Sequence, residues 1–274
     1  MKKLLLPLLF IVALFAAFKP STSKAVSVSG LTDTGHLANA GKIWASLYQQ
    51  RAAEYKALCF QAYNIARERI DEAVKKHSKK PLAVVTDIDE TLLDNSPYDA
   101  ARAMMGLDYT DQSWKQWTAK AIADTVPGAP SFLKYAASKG VMIFYITNRD
   151  TSEQAGTLKN LQLYHLPYAN STHLFLKSNT SSKESRRQIV LKKYNIVLLC
   201  GDNLPDFDAL YDNNPAEADR TATTEKLRKQ FGKRYIVIPN PTYGDFEGAL
   251  FKFNYNLTPA QKDSVIKSLI KTDK

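Results

Sequence analysis

Apolar side chains recur at three- and four-residue steps over residues 37–78, which predicts helices that bury one face. The residues of this face are Trp44, Leu47, Tyr48, Tyr55, Leu58, Cys59, Ala62, Ala66, Ile70 and Val74. One long helix and two helices with a break near Gln50 fit this spacing equally well. Pro81 is expected to end the helical segment, because proline removes a backbone hydrogen bond from a helix.

Five short apolar runs, rich in β-branched residues, follow Pro81 and are separated by helical or loop-like segments. The predicted strands are Leu82–Thr86, Val141–Thr147, His173–Leu176, Ile196–Cys200 and Tyr235–Pro239. Helices are predicted between them, for example over Thr151–Leu163 and Lys183–Lys193. Alternation of this kind is typical of a parallel sheet covered by helices on both faces, so the predicted fold class is α/β.

Residues 96–128 do not continue the alternation of strand and helix, and they carry Trp114 and Trp117 on one predicted helical turn. We expect this insertion to form a helical cap with the N-terminal helices. Thr258-Pro259 is expected to begin a last helix as N-cap and first residue. The predicted catalytic unit, residues 26–274, has a core of about 81–95 and 129–257, a cap of about 37–80 and 96–128, and a last helix at 258–272.

The first 25 residues have the pattern of a secretory signal peptide. Lys2 and Lys3 precede an apolar run over Leu4–Phe18, and small residues favour cleavage after Ala25. A permanent membrane anchor is disfavoured by Pro7 and by a run shorter than the ~20 residues of a spanning helix. We therefore expect an exported protein, located in the periplasm or outside the cell.

The cysteines and charges change this picture little. No cysteine precedes Cys59, so a lipoprotein signal is not expected. The sequence does not decide whether Cys59 and Cys200 form a disulfide bond. The formal charge of +10 includes four lysines of residues 1–25, and the remainder carries 33 basic against 27 acidic residues. That excess suits either attraction of anionic substrates or an ordinary solvated surface. No arginine-rich run or nucleic-acid motif is present, so nucleic acid is not an expected partner.

Carboxylates and small polar side chains stand where three predicted strands end. They are Asp87 and Asp89 after the first, Thr147 and Asn148 after the second, and Asp202 and Asp206 after the fourth. Parallel strands bring their carboxyl ends to one edge, where ligands of such sheets bind. Each residue alone has a simpler interpretation as a turn or cap former. Their joint occurrence at one edge favours a functional site.

The stretches DIDETLLDN, ITNR and GDNLPDF, with Lys183 between the last two, resemble in order and spacing the motifs of the haloacid dehalogenase superfamily. Their particular forms, with the signal peptide, are similar to the class C ("DDDD") acid phosphatases, which include the bacterial outer-membrane P4 family of 5'-nucleotidases. The resemblance covers nearly all of residues 26–274. It implies a Rossmann-like core and a phosphatase of phosphomonoesters, including nucleoside 5'-monophosphates.

The resemblance also implies roles for individual residues. Asp87 would be the nucleophile that forms an aspartyl-phosphate, and Asp89 would protonate the leaving group and then activate water. Mg²⁺ would be held by Asp87, the main-chain carbonyl of Asp89, and Asp202, with Asp206 supporting. It would offset the repulsion between carboxylates and phosphate, which is ~4 kcal/mol per pair of unit charges at 4 Å and a dielectric of 20.

The remaining predictions concern the residues that contact the phosphate and the rest of the substrate. Thr147, Asn148 and Lys183 would bind the phosphate. Tyr243 and Trp114 would contact the leaving group, and packing between cap and core is the alternative for both. Phe246 stands where relatives are expected to have tryptophan. Arg186 and Arg187 either assist Lys183 or face solvent.

A non-catalytic envelope protein that binds a phospho-ligand or haem is the alternative function. The histidines, which are His36, His77, His165 and His173, form no distinctive haem motif. A storage protein would be expected to lose the nucleophile, whereas Asp87 is present. The expected partner is a small phosphomonoester, and the sequence leaves homo-oligomer formation open.

Overall fold

The computed structural model describes residues 36–273, so the predicted signal peptide lies outside the described residues. The helices are α1 (Leu37–Arg51), α2 (Ala53–Val74), α3 (Ser96–Met104), α4 (Asp111–Lys120), α5 (Ala129–Ser138), α6 (Gln154–Leu163), α7 (Glu184–Lys193), α8 (Glu217–Leu227), α9 (Asp245–Leu250) and α10 (Pro259–Leu269). The strands are β1 (Leu82–Thr86), β2 (Leu93–Asp94), β3 (Asp124–Thr125), β4 (Met142–Asp150), β5 (Leu174–Lys177), β6 (Asn195–Gly201) and β7 (Tyr235–Val237). None of the helices within residues 36–273 is long and apolar enough to cross a membrane.

Five strands form one parallel sheet in the order β5-β4-β1-β6-β7, which confirms the predicted α/β class. The central strand β1 pairs with β4 and β6, with Thr86 opposite Tyr145 and Cys200. The Asp87 N–H continues this pairing by donating to the Cys200 carbonyl at 2.9 Å. The carboxyl ends of β1, β4 and β6 therefore meet at one edge of the sheet.

The helical segment before β1 is two helices, with the break at Ala52. The α2 residues Tyr55, Cys59, Tyr63, Ala66 and Ile70 are all buried in the same core as the strand residues Val84, Ile143 and Leu198. Burial of such a face stabilises by about 25 cal/mol per Å² of apolar surface. Because α2 lies on the sheet, the predicted cap role suits α1 better than α2, and the division into core and cap stays a prediction.

The insertion after β1 contains α3, α4 and a two-stranded antiparallel ribbon of β2 and β3. Thr110 caps α4 by accepting a hydrogen bond from the Ser113 N–H at 3.2 Å. Helix α3 packs against α1, and α4 packs against α6, which follows β4. The insertion is thus fixed beside the carboxyl ends of β1 and β4.

Two smaller expectations are also settled by the structure. Cys59 and Cys200 are both buried free thiols. The disulfide between them, which the sequence left undecided, is therefore not formed. Burial raises the pKa of the Cys59 thiol to about 11, which keeps it protonated and unreactive at neutral pH. Thr258 caps α10 in a capping box with Gln261, as predicted.

Candidate active site

Asp87, Lys183, Asp202 and Asp206 form a cluster of buried charges at the carboxyl ends of β1 and β6, which we call the metal-side cluster. The Lys183 ammonium lies 2.5 Å from Oδ1 of Asp87 and 2.5 Å from Oδ1 of Asp206. Asp202 accepts hydrogen bonds from the Thr91 hydroxyl at 3.1 Å and the Asn240 amide at 2.8 Å. Two of the three carboxylates in this cluster thus contact its one lysine directly.

The turn after β6 holds Asp206 in place. Its Oδ2 accepts a hydrogen bond from the Asn203 N–H at 3.0 Å, in a capping box at the start of a short 3-10 turn. The buried Arg187 donates to the main-chain carbonyls of Pro205 and Asp206, both at 2.9 Å. A side chain at Gly201 would lie 2.4 Å from Asp206, so this position requires glycine.

The electrostatics of the metal-side cluster suit a cation. Burial, opposed by Lys183, raises the pKa of Asp87 to about 7, and burial together with Asp206 raises that of Asp202 well above its ordinary value. Carboxylate oxygens of Asp87, Asp202 and Asp206 all lie within 4.8 Å of one another. This set of hard oxygen donors could hold a divalent metal ion. It includes Asp206, to which the sequence assigned only a supporting role.

Asp89 belongs to a second group, Asp89, Asn95, Trp117 and Arg149, which we call the acid-side cluster. Arg149 contacts Oδ1 of Asp89 through Nη2 at 2.7 Å and through Nε at 3.1 Å, and Oδ2 through Nε at 3.2 Å. The Asn95 amide donates to Oδ1 at 2.9 Å, and itself accepts from the Trp117 indole at 2.8 Å. Asp89 Oδ1 therefore takes three contacts, whereas Oδ2 takes one.

The residues predicted to bind phosphate occupy different depths. Asn148 and Lys183 line the cavity described below, whereas Thr147 is fully buried and its hydroxyl accepts from the Arg149 N–H at 3.1 Å. Arg186 is buried and contacts the Thr147 carbonyl at 2.5 Å and Oδ1 of Asn148 at 2.7 Å. Neither Arg186 nor Arg187 faces solvent: Arg186 contacts the strand end that carries Thr147 and Asn148, and Arg187 contacts the turn that carries Asp206.

Both clusters open into a cavity of about 620 Å³, which every predicted site residue except Thr147 lines. Its wall includes the aromatic side chains of Tyr98, Tyr109, Trp114 and Tyr243. The Trp114 ring packs edge-on against Tyr98, with 5.2 Å between ring centroids. Phe246 is 45% exposed and is not part of the described lining. The volume exceeds that of a phosphate group and leaves space for an organic leaving group.

A buried carboxyl lies beneath Tyr243. The phenol donates a short hydrogen bond to Glu90, which is fully buried and also accepts from the Asn95 N–H at 2.7 Å. Burial, and then the carboxylates of Asp99 and Asp89, raise the pKa of Glu90 well above its ordinary value. Glu90 thereby fixes Tyr243 at the cavity wall.

Sequence reasoning did not assign the roles of Asn95, Trp117, Arg149 and Glu90. All except Trp117 lie inside the stretches DIDETLLDN and ITNR, which carried the resemblance, so their location was a usable signal. The contacts of Asn95, Trp117 and Glu90 depend on how the insertion folds back over β1. That arrangement has no local sequence pattern.

Comparison with known proteins identifies the family. A family model described as the HAD superfamily, subfamily IIIB (acid phosphatase), matches residues 27–246. The chain belongs to this family. The chain is also 39% identical to the class C acid phosphatase from Bacillus anthracis, with a TM-score of 0.82 over 86% of this chain and 99% of that one. A structure of the class C acid phosphatase from Bacillus anthracis with tungstate bound matches at 38% identity and a TM-score of 0.81, covering 87% and 99%.

These matches confirm the resemblance inferred from the sequence motifs. The protein is a phosphoric monoester hydrolase of the class C acid phosphatase type. The family assignment also favours the enzyme over the alternative of a non-catalytic binding protein.

Proposed function

We propose that this acid phosphatase is an exported, Mg²⁺-dependent enzyme that cleaves phosphomonoesters, including nucleoside 5'-monophosphates, through an aspartyl-phosphate on Asp87. The observation that carries the proposal is the convergence of Asp87, Asp89, Asp202 and Lys183 in one cavity. The motifs that these residues occupy are those expected of the family.

Asp87 attacks the phosphorus while Lys183 and Asn148 face the phosphate oxygens. Lys183 contacts Asp87 directly, so its ammonium lies beside the phosphoryl group that Asp87 attacks and neutralises part of the negative charge on that group. Arg186 accepts no hydrogen bonds, so the amide of Asn148 must present its oxygen to Arg186 and its NH₂ group elsewhere. That orientation suits donation to a phosphate in the cavity.

Asp89 acts as an acid during this attack. It acts as a base afterwards, when the aspartyl-phosphate is hydrolysed. Its Oδ2, which takes one contact against three for Oδ1, is the oxygen better able to carry a proton toward the leaving group. The same oxygen then accepts a proton from the water that hydrolyses the aspartyl-phosphate. Arg149 and Asn95 hold the other oxygen throughout.

We propose Asp87, the Asp89 main-chain carbonyl and Asp202 as Mg²⁺ ligands, with Asp206 as a further ligand or support. When bound, the ion supplies positive charge that offsets repulsion between the carboxylates and a dianionic phosphate. Asp202 is oriented for this by Thr91 and Asn240.

The aromatic side chains of the cavity wall favour a substrate whose leaving group carries a flat ring. Tyr243 is anchored by Glu90, and Trp114 by its packing on Tyr98. A nucleobase or aryl group between such rings gains stacking and burial. Nucleoside 5'-monophosphates are therefore proposed substrates.

Export is proposed from the signal-peptide pattern of residues 1–25. The protein recovered from its native host should begin near Val26 and carry no lipid. N-terminal sequencing and intact mass measure this, and an uncleaved N-terminus would contradict it.

A phosphate-release screen over nucleotides, sugar phosphates and aryl phosphates tests the proposed activity. After metal removal we expect no turnover, and Mg²⁺ should restore it. Full activity after exhaustive chelation would contradict metal dependence. Absence of phosphate release from every substrate would contradict the activity itself.

A further inference from the structure

Helix α4 of the insertion reaches the first strand end through one hydrogen-bonded chain. The Trp117 indole N–H donates to Oδ1 of Asn95 at 2.8 Å, and the Asn95 amide donates to Oδ1 of Asp89 at 2.9 Å. Trp114, one turn earlier on the same helix, lines the cavity. Trp117 instead packs against the main hydrophobic core.

The direction of this chain follows from the chemistry of its members. An indole N–H can only donate, so the amide of Asn95 must present its oxygen to Trp117. Its NH₂ group is then fixed toward Asp89. Without the indole, the amide oxygen loses the donor that holds it, and the contact of the NH₂ group with Asp89 is less restrained.

Asn95 has no freedom to solve this by moving. It is fully buried, and its own N–H donates to Glu90 at 2.7 Å. The amide NH₂ group also lies 3.2 Å from Glu90 Oε2. The backbone of Asn95 is therefore held, and its side-chain amide is held by Trp117 at the oxygen and by Asp89, Glu90 and the Leu93 carbonyl at the NH₂ group.

We propose that Trp117 is a positioning residue for Asp89, acting through Asn95, so that the insertion sets the geometry of proton transfer. This rests on the proposed acid and base role of Asp89. By occupying Oδ1 together with Arg149, Asn95 directs Oδ2 toward the leaving group. The inserted helix thus contributes to the chemistry as well as to the cavity wall.

The test uses leaving groups that differ in their need for a proton. Trp117→Phe removes the N–H and keeps an aromatic ring, and Trp44→Phe, at a 73% exposed position on α1, is the matched control. In single-turnover cleavage we expect Trp117→Phe to slow a nucleoside 5'-monophosphate by about tenfold. Cleavage of p-nitrophenyl phosphate, whose leaving group departs without a proton, should slow by less than about twofold.

Equal losses on the two substrates would overturn the proposal, because a purely structural role harms both alike. Asp89→Asn is the benchmark, since it must show the same selectivity if Asp89 is the acid. Selectivity in Asp89→Asn but not in Trp117→Phe rejects the positioning role alone. Absence of selectivity in Asp89→Asn rejects the proposed function of Asp89 itself.

A second variant keeps the test decisive if Trp117→Phe does not fold, as judged by thermal unfolding. Asn95→Asp keeps the size of the side chain and its acceptor for Trp117, but replaces the donor that faces Asp89. The same selective loss on the nucleotide is expected. An unselective loss in a folded Asn95→Asp variant would overturn the proposal.

Discussion

Asp87 and Asp89 stand two residues apart at the end of one strand, yet different parts of the molecule hold them. Asp87 shares Lys183 with Asp206, so its neighbours come from α7 and the β6 turn of the sheet core. Asp89 is held by Arg149 at the end of β4 and by Asn95 in the insertion. The core therefore builds the environment of the nucleophile, whereas the core and the insertion together build that of the acid.

This difference predicts how substitutions in the two clusters should affect activity. Changes in the metal-side cluster should affect every substrate alike, because attack on phosphorus is common to all of them. Changes in the acid-side cluster should depend on the leaving group, because only a poor leaving group needs the proton.

The largest effect is expected from Asp87→Asn, which removes the nucleophile. Turnover should fall by about 10³-fold or more on both a nucleotide and an aryl phosphate. Steady-state phosphate release measures this, and circular dichroism checks that the variant is folded. Retention of more than a few per cent of wild-type turnover would contradict the assignment.

A smaller and selective effect is expected from Asp89→Asn. Single-turnover cleavage of a nucleoside 5'-monophosphate should slow by about 10²-fold, and that of p-nitrophenyl phosphate much less. This is the sharpest contrast between the two clusters. Equal losses on both substrates would show that the two carboxylates do not divide the work as described.

Arg186→Lys should have a moderate effect that does not depend on the leaving group. Lysine cannot contact the Thr147 carbonyl and the Asn148 amide with two fixed donors, so phosphate binding weakens. We expect KM to rise by about tenfold on both substrates, with a smaller change in kcat. Arg228→Lys, at a 72% exposed side chain, is the control. A loss confined to the nucleotide would place Arg186 with the acid-side cluster instead.

The smallest effect concerns the stability of the metal-free protein. The pKa of Asp87 is about 7 when folded, above its ordinary 3.8, so folding favours its protonated form. That contribution is fully present below about pH 4 and is lost as the pH rises through about 7. Metal-free Asp87→Asn should therefore be more stable than metal-free wild type above about pH 7, by on the order of 1–3 kcal/mol.

Denaturant unfolding at several pH values measures this difference. The gap between variant and wild type should close toward about pH 4. Asp273→Asn, at an exposed position, controls for the loss of one surface charge. A wild type that stays the more stable protein at high pH would contradict the burial cost assigned to Asp87.

Much of the fold could be predicted because its signals are local. The β-branched runs give the five parallel strands, and the three- and four-residue spacing gives α1 and α2. The packing of α2 on the sheet could not be predicted, because a buried helix face does not say which partner buries it. Tyr55 and Tyr63 show the same spacing whether they face a cap or a sheet.

The candidate site divides in the same way. Asp87, Asp202 and Lys183 follow strands or begin a helix, so the edge of a parallel sheet brings them together. The contacts of Asp89 with Asn95 and of Asn95 with Trp117 span six and twenty-two residues and depend on the path of the insertion. No propensity or periodicity encodes such a path, and the sequence therefore placed Trp117 on a helical turn without giving it a role.

Trapping the phosphoryl group on the enzyme is the strongest test of nucleophilic attack by Asp87. The Asp89→Asn variant is the suitable enzyme. It can still form the aspartyl-phosphate from p-nitrophenyl phosphate, because this leaving group needs no acid. The aspartyl-phosphate should then accumulate, because its hydrolysis lacks the base. After acid quench and peptide mapping, we expect a phosphoryl group on Asp87. A phosphoryl group on another residue, or p-nitrophenolate release with no phosphorylated peptide, would contradict it.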